Sequence, residues 1–593
     1  MKATDLIRPA GTAIIFIVVC GVINTFGLNT VTFNIDEAES EVSQGIFGLL
    51  MERLGRQWSG QGAIFVGTNS SIPNTDGLRN DVIEGFKECG IGCMQWPGGC
   101  AANGYDWNSN KSASNDVGAD RFIEFCKLTG AEAFIVGKPT ANDAASNEAF
   151  AKYIIETLDY PLKWFKVGNE IWGGCGTNYT NGYTSSSFPA NYERLSGLRD
   201  LENGKDLKIV AAANASEGNY GWISSYYSSI GSMMDGIEYH DYIYHPNDIS
   251  STNFTTQNYW QVMDQTLLGD LHAHLETIYS SMTSADPEKR VKIVLDEWGN
   301  WLQDLGDGWM QQNTVMDAVG AGAHLNQFIQ KADLVGVAAL AQGVNVIQSV
   351  ININTSGQLV KTPTFYVFKM YKPHHANNAK FLPMSNVSFE KASGNIPIGN
   401  AAATVDDSGY VNISLVNNDL TSTREVSVVL TGGENEYTIV SAEVVSGPNM
   451  NSCNDFGKEE VVNIESLDES NYILEEKTVN VTMPTKSVVM IRLKSPKTGV
   501  RSGRFLNNGA EAFSLASGRN GSVVVNSTVA NKTPVTASLH TINGKIMVNS
   551  FESSLVSGRN TIGFNNKVTG NGIYLVKITG KGINLAQKIV IAR

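Results

Sequence analysis

The chain has 593 residues, 42% of them hydrophobic and only 17% charged. These values exclude a lone small binding module and a disordered chain, and predict about three or four folded domains. The formal charge of −14 is unevenly spread: residues 496–593 carry 12 Lys and Arg against 2 Asp and Glu, a net +10, leaving −24 for the first 495. So acidic a remainder would repel nucleic-acid phosphates, and the asymmetry predicts a separate basic module.

At the N-terminus, Lys2 and Arg8 precede an uncharged apolar run from Ala10 to about Phe26. That order is the n-region and h-region of a secretory signal, assigned to residues 1–27 with Thr25-Phe26-Gly27 as the best small-x-small cleavage site. Val19 is too bulky before Cys20 for a lipobox. An uncleaved anchor is the alternative, since the run approaches the ~18 residues that span a bilayer; no later segment could, and no stable membrane span is expected after processing. The expected location is secreted or cell-surface. Six further cysteines, Cys89, Cys93, Cys100, Cys126, Cys175 and Cys453, are sparse for this length and lack a convincing second pair for zinc. They are expected to be free or buried thiols.

Between residues 45 and 375, short apolar runs alternate with helix-sized amphipathic segments. Strands are predicted at Gly90–Pro97, Ala131–Gly137, Leu162–Val167, Leu207–Ala213, Met234–Tyr239, Val291–Leu295 and Leu334–Leu340, with helices at Ala119–Thr129 and Ala144–Thr157. Repeated alternation over this length predicts an α/β fold, a (β/α)8 TIM barrel. A doubly wound sheet is the alternative, but no Gly-rich phosphate loop follows an early strand. After His375 the pattern becomes short alternating strands, Ala401–Val405, Tyr410–Val416, Glu425–Leu430, Lys477–Thr482 and Ser487–Leu493. This is the period of a β-sandwich domain over 376–495. A linker at 496–512 precedes a small C-terminal all-β module, 513–593.

Two carboxylates directly follow strand-like runs: Trp164-Phe-Lys-Val-Gly-Asn-Glu ends at Glu170, and Val291-Lys-Ile-Val-Leu-Asp-Glu at Glu297. Strand C-termini form the active face of such a barrel. A lone Glu there is commonly a cap or a solvated loop residue, but two of them, with Asn169 and the aromatic residues Trp172 and Trp298 alongside, are harder to dismiss, since aromatic faces are what a sugar-binding cleft offers. Glycoside hydrolysis needs two facing carboxylates, one to protonate the leaving oxygen and one to attack or to activate water.

The blocks Ile46-Phe-Gly-Leu-Leu-Met-Glu-Arg-Leu-Gly-Arg, Ser71-Ile-Pro-Asn-Thr-Asp-Gly, Gln95-Trp-Pro-Gly-Gly-Cys, Val167-Gly-Asn-Glu-Ile-Trp-Gly-Gly-Cys-Gly, Asp286-Pro-Glu-Lys-Arg-Val, Asp296-Glu-Trp-Gly-Asn-Trp and Ala341-Gln-Gly-Val-Asn-Val-Ile-Gln resemble the α-L-arabinofuranosidases of glycoside hydrolase family 51. The resemblance runs from about Gly45 to Tyr371. It implies that 28–44, with the strand Val31-Thr-Phe-Asn-Ile, joins the sandwich. It also implies a retaining double displacement with Glu297 as nucleophile and Glu170 as acid then base. Glu170 should then have a raised pKa and Glu297 should stay ionised. By the same resemblance, Asn169 contacts the sugar 2-hydroxyl, Glu52, Cys100 and Gln342 line the sugar subsite, Tyr242 orients the nucleophile and His240 stands two residues before it. His240, Asp241 and His245, or His272 with His274, have metal-ligating side chains, but the resemblance accounts for His240 without one, and no metal or cofactor is expected.

Three departures bear on specificity. Arg53 stands where the family usually has His, Asp241 where it usually has Tyr, and after Tyr105-Asp-Trp107 a long aromatic and basic loop is replaced by Asn108-Ser-Asn-Lys-Ser-Ala-Ser-Asn. Specificity on this fold follows the loops. The expected function is therefore a secreted retaining glycosidase that releases α-L-arabinofuranosyl residues from plant cell-wall polysaccharides. An endo-β-1,4-glucanase of the same family acting on β-glucan is one alternative, and a non-catalytic polysaccharide-binding protein another. His374 and His375, at the barrel's exit, are expected to be solvated. In the last module, Ala537-Ser-Leu-His-Thr-Ile-Asn-Gly-Lys, Gly558-Arg-Asn-Thr-Ile and Gly572-Ile-Tyr-Leu-Val-Lys-Ile resemble the C-terminal sorting domain of type IX secretion, which implies an outer-membrane export machinery as partner. A carbohydrate-binding module is the alternative.

Overall fold

The computed structural model describes residues 29–179, 189–213, 220–249, 254–303, 309–433 and 436–495, and beyond these the strands of the C-terminal module. The signal segment at 1–27 and most of the linker lie outside the described residues. The first strand, β1 (Thr30–Asn34), is separated from the barrel that follows it in the chain. The barrel strands are β2 (Gly48–Leu50), β3 (Cys93–Trp96), β4 (Glu132–Gly137), β5 (Trp164–Val167), β6 (Lys208–Ala211), β7 (Gly236–Ile249), β8 (Lys292–Gln303) and β9 (Val335–Ala341). They pair in chain order, all parallel, and β9 closes on β2 through Ala339 opposite Gly48. The sequence pattern marks seven of the eight; β2 is too short to stand out in the apolar run that contains it.

Helices cover the barrel: α1 (Asn80–Cys89), α2 (Ala119–Thr129), α3 (Ala144–Lys152), α4 (Ala190–Gly197), α5 (Trp222–Ile230), α6 (Thr256–Leu268), α7 (Asp270–Ala285), α8 (Val315–Ile329) and α9 (Pro363–Tyr371). In α2 the spacing of Phe122, Ile123, Phe125 and Cys126 makes one buried face, and Gly130 ends the helix in the left-handed conformation. Inside the barrel, Cys93, Phe134, Trp164, Val210, Val294 and Val337 pack as one apolar layer. Two residues further along three of those strands stand Gln95, Lys166 and Asp296, all fully buried. The period of two along a strand thus lays a polar layer on the apolar one, toward the C-terminal rim.

The sandwich combines β10 (Met384–Ser388), β11 (Ala401–Val405), β12 (Tyr410–Asn417), β13 (Arg424–Thr431), β14 (Thr438–Val445), β15 (Tyr472–Glu475), β16 (Thr478–Met483) and β17 (Ser487–Lys494). One sheet runs β10-β1-β13-β16-β15, so β1 sits between β10, antiparallel, and β13, parallel. The other is centred on β11-β12-β17-β14. Its outer face meets α8 and α9: Asn326 Oδ1 accepts from Ser414 Oγ (2.6 Å) and Tyr371 Oη (2.9 Å). His374 is fully buried there, between Thr404 Oγ1 (3.1 Å) and Ser414 Oγ (3.0 Å), while the His375 ring lies 4.4 Å from that of Phe47. Neither is a solvated exit residue, because the sandwich covers the place where the barrel ends.

The C-terminal module consists of two antiparallel four-stranded sheets, one including Ala512–Ser517, Ser522–Ser527 and Gly558–Gly563, the other Thr533–Thr541, Ile546–Leu555, Gly572–Gly580 and Ile583–Ile591. Among the described residues no helix is long and apolar enough to cross a membrane.

Two glycines of α8 give a test of the barrel–sandwich contact. A Cβ on Gly322 would sit 2.9 Å and 3.0 Å from the methyls of Val488, whereas on Gly320 it would meet nothing closer than 3.7 Å. Gly320→Ala should raise stability in urea unfolding by up to about 1 kcal/mol, and Gly322→Ala should lower it by roughly 1–3 kcal/mol.

Candidate active site

All eight residues singled out from the sequence come together at the C-terminal rim of the barrel. Glu52 follows β2, Cys100 follows β3, Asn169 and Glu170 follow β5, His240 and Tyr242 lie on β7, Glu297 lies on β8, and Gln342 follows β9. Gly168, at φ 82°, turns the chain out of β5, and Glu170 itself takes φ 44°. A left-handed glutamate is a strained conformation of the kind found where a side chain must be aimed. Its backbone N–H donates to Glu238 Oε1 at 3.3 Å.

The other carboxylate owes its position to a break in the strand pattern. Leu295 pairs with Tyr239 but Glu297 with His240, so the register slips at Asp296. A strict alternation would turn one of Asp296 and Glu297 away; the bulge lets both face inward. Asp296 enters the polar layer, accepting from Lys166 Nζ and from Gln95 Nε2 (2.9 Å), while Glu297 Oε2 accepts from Tyr242 Oη (2.8 Å). Trp298 is then thrown outward, fully buried 5.2 Å from both His324 and Phe328. It is a core residue, and the expectation that it offers a face to a sugar is corrected; Trp172, half-buried 5.8 Å from His240, remains at the cleft.

His240 joins the two carboxylates. Its Nδ1 lies 3.0 Å from Glu170 Oε1 and 3.6 Å from Glu297 Oε2, and its Nε2 lies 3.0 Å from Glu238 Oε1 and 3.3 Å from Asp296 Oδ1. A neutral imidazole has one N–H, and two flanking carboxylates call for two. Burial pulls the His240 pKa down, but Glu297, Glu238 and Asp296 together more than reverse it, so the ring is cationic. Glu238, which burial alone would raise, is held at about 2 by Lys166 and His240. Glu297 goes the other way: burial, opposed by His240 and reinforced by Glu170 and Glu52, pushes its carboxyl up to about 8. The expectation that it is simply ionised is thus modified, since desolvation outweighs its cationic neighbour.

An oxygen of Glu170 and an oxygen of Glu297 lie within 4.8 Å of each other. Glu52, raised by burial, is anchored by the N–H of Ala101 (3.2 Å) and by Gln342 Nε2 (3.2 Å), and Gln342 is itself held by Gln57 (2.7 Å). Cys100 and Cys175 form a disulfide, both sulfurs lying against Glu170 Oε2 at 3.8 Å and 3.6 Å. This corrects the expectation of free thiols for that pair; Cys89, Cys93, Cys126 and Cys453 are free. The carboxylates and His240 are close enough together to hold a cation, but the inner cluster of Glu238, His240 and Asp296 already closes on the ammonium of Lys166. His245, His272 and His274 have no described side chains.

The departures also find places. Arg53 turns from the cleft to Asp116 and to the carbonyl of Val117 (2.7 Å). Trp107 stacks on Phe150 with centroids 5.1 Å apart, leaving the cleft uncovered by its ring. Lys166, Glu238, Asp296, Gln57, Gln95 and Cys175 were not singled out from the sequence. For Lys166 and Glu238 a signal existed, a charge in the middle of an apolar strand; for the others there was none.

Comparison with known proteins agrees with this geometry. Residues 296–487 match the α-L-arabinofuranosidase C-terminal domain family. An intracellular exo-α-L-arabinofuranosidase of Bacteroides ovatus is 29% identical over 509 residues, 78% of this chain and 95% of that one. An α-L-arabinofuranosidase C of Emericella nidulans is 24% identical, covering 73% of this chain and 92% of its own. The crystal structure of the GH51 arabinofuranosidase from Xanthomonas axonopodis pv. citri is similar at a TM-score of 0.70 and 28% identity, covering 78% of this chain and 99% of that chain. This chain is a glycoside hydrolase, similar in its matched domain, its aligned relatives and its fold to the α-L-arabinofuranosidases of family 51.

Proposed function

We propose that the chain is a retaining, exo-acting α-L-arabinofuranosidase that releases arabinofuranosyl groups from plant cell-wall polysaccharide. The observation that carries the mechanism is the approach of Glu170 and Glu297 to within 4.8 Å. Inverting enzymes hold their carboxyl groups about 6.5–9.5 Å apart to admit a water, and retaining ones about 5–5.5 Å. Glu297, oriented by Tyr242, attacks the anomeric carbon; Glu170 gives its proton to the leaving oxygen, then takes one from the water that releases the sugar. Five carboxylates, Glu52, Glu170, Glu238, Asp296 and Glu297, face two cations, Lys166 and His240. The excess negative charge favours an oxocarbenium-like transition state. The names of the relatives support the arabinofuranosyl group as the glycone.

Parallel product analysis on arabinan, arabinoxylan and soluble cellulose should yield free arabinose, with retained anomeric configuration by NMR; cello-oligosaccharides without arabinose would sink the reading. Glu297→Gln should lower kcat on the order of 10⁴-fold or more. Glu170→Ala should lower it about 10²–10⁴-fold, and added azide should restore turnover by attacking the glycosyl-enzyme.

The pH profile follows from Glu297. A raised carboxyl keeps its proton below its pKa, so Glu297 holds one up to about pH 8; handing that proton to Glu170 ionises the nucleophile and arms the acid. kcat/KM should therefore fall above about pH 8; a rise through pH 8 to a plateau would show that Glu297 itself must first lose that proton.

The apolar N-terminal run and the basic C-terminal module support export to the cell surface or medium, with the last module as the export signal. The Bacteroides ovatus relative is named intracellular, so fractionation of the native host decides. Activity confined to the cytosol, with Met1 retained by mass spectrometry, would overturn export.

A further inference from the structure

Lys166 stands in β5 between Phe165 and Val167, and its side chain has no exposed surface. A buried ammonium is costly unless each of its three N–H groups finds an acceptor. Here each does: Asn169 Oδ1 at 2.6 Å, Glu238 Oε1 at 2.7 Å, and Asp296 Oδ2. Burial pulls its pKa down, but Asp296 and Glu238 more than compensate, so the charge is kept.

One of these contacts has a chemical direction. A carboxamide has an accepting end and a donating end, and an asparagine free to rotate can present either one to a ligand. An ammonium only donates, so it takes the oxygen of Asn169 and leaves the NH₂ group to point away. That group donates to Cys175 Sγ (3.7 Å), and Cys175 Sγ lies 3.6 Å from Glu170 Oε2, so the buried NH₂ is turned to the side of the acid. The backbone around it is also fixed, since Asn103 accepts from the Asn169 N–H (3.0 Å) and donates to its carbonyl (2.8 Å).

We propose that Lys166 is a positioning residue that locks the Asn169 amide with its NH₂ toward the glycone, so that the 2-hydroxyl of the sugar is read as an acceptor. Lys166 also ties Asn169, next to the acid, to Asp296, next to the nucleophile, so one ammonium registers the end of β5 against the bulge of β8. The inference rests on the retaining arabinofuranosidase reading above for the identity of the glycone.

The test compares 4-nitrophenyl α-L-arabinofuranoside with its 2-deoxy counterpart in the wild type, in Lys166→Met and in Asn169→Ala, taking the ratio of the two kcat/KM values. Lys166→Met should lower the ratio, parent over 2-deoxy, at least about tenfold and bring it to the Asn169→Ala value, because only the parent can accept from the amide. Loss of general structure would depress both substrates together and leave the ratio unchanged, and that result overturns the proposal. Lys166→Met leaves Glu238 and Asp296 without their counter-ion. If it does not fold, Lys166→Met with Glu238→Gln, which removes one charge of each sign, gives the same comparison with the same two outcomes. A wild type that cleaves the polymer substrates of another glycosidase but not the arabinofuranoside would instead fault the functional reading.

Discussion

The site is organised around two buried cations, Lys166 and His240, set among five carboxylates. Neither cation could remain charged at these depths without the acids, and the acids could not crowd so closely without the cations. The balance is unequal: Glu238 is held down at about 2 by Lys166 and His240, while Glu297, with only His240 close by, is driven up to about 8 by its own burial. Two glutamates on adjacent parallel strands thus acquire opposite characters from their surroundings. Removing one member of such a network leaves an uncompensated charge, which is why substitutions in it are best read through ratios and pH dependence and not through total activity.

The barrel supports this arrangement from below. A layer of Phe134, Trp164, Val210, Val294 and Val337 seals the interior, and the polar layer of Gln95, Lys166 and Asp296 sits on it, fully buried. Above that, at the rim, come Glu52, Asn169, Glu170, Tyr242, Glu297 and Gln342. Irregular backbone does the aiming at the rim. The bulge at Asp296 points two successive acids inward, the left-handed turn through Gly168 and Glu170 presents the other catalytic candidate, and the Cys100–Cys175 disulfide joins the segments after β3 and β5 against Glu170. No described residue of the sandwich belongs to this cluster; the sandwich buries the back of α8 and α9 and the end of the barrel around His374.

Aromatic residues near a cleft are weak indicators of sugar contact taken by themselves. Trp298 and Trp107 both occur in motifs beside the site, but Trp298 turns into the core against His324 and Phe328, and Trp107, half-buried, packs on Phe150. The bulge decides the first, because it inverts the alternation after Asp296. Packing against α3 decides the second. Trp172 stays at the cleft.

Alternating apolar runs and amphipathic segments determined the barrel, because a parallel strand buried on both faces must be apolar throughout and its covering helix must show a 3.6-residue stripe. The change to short strands determined the sandwich, and a carboxylate at the end of each of two barrel strands pointed to the candidate site. The short strand β2 escaped because three residues carry no period. What only the tertiary structure decided is which groups meet: Lys166 is 130 residues from Asp296 and 72 from Glu238, Cys100 is 75 from Cys175, and Gln342 is 290 from Glu52. Contacts across such separations are set by barrel closure and by a one-residue slip in register. Neither leaves a local mark in the chain, and the proton affinities that follow from them exist only once the charges have been brought together and water removed.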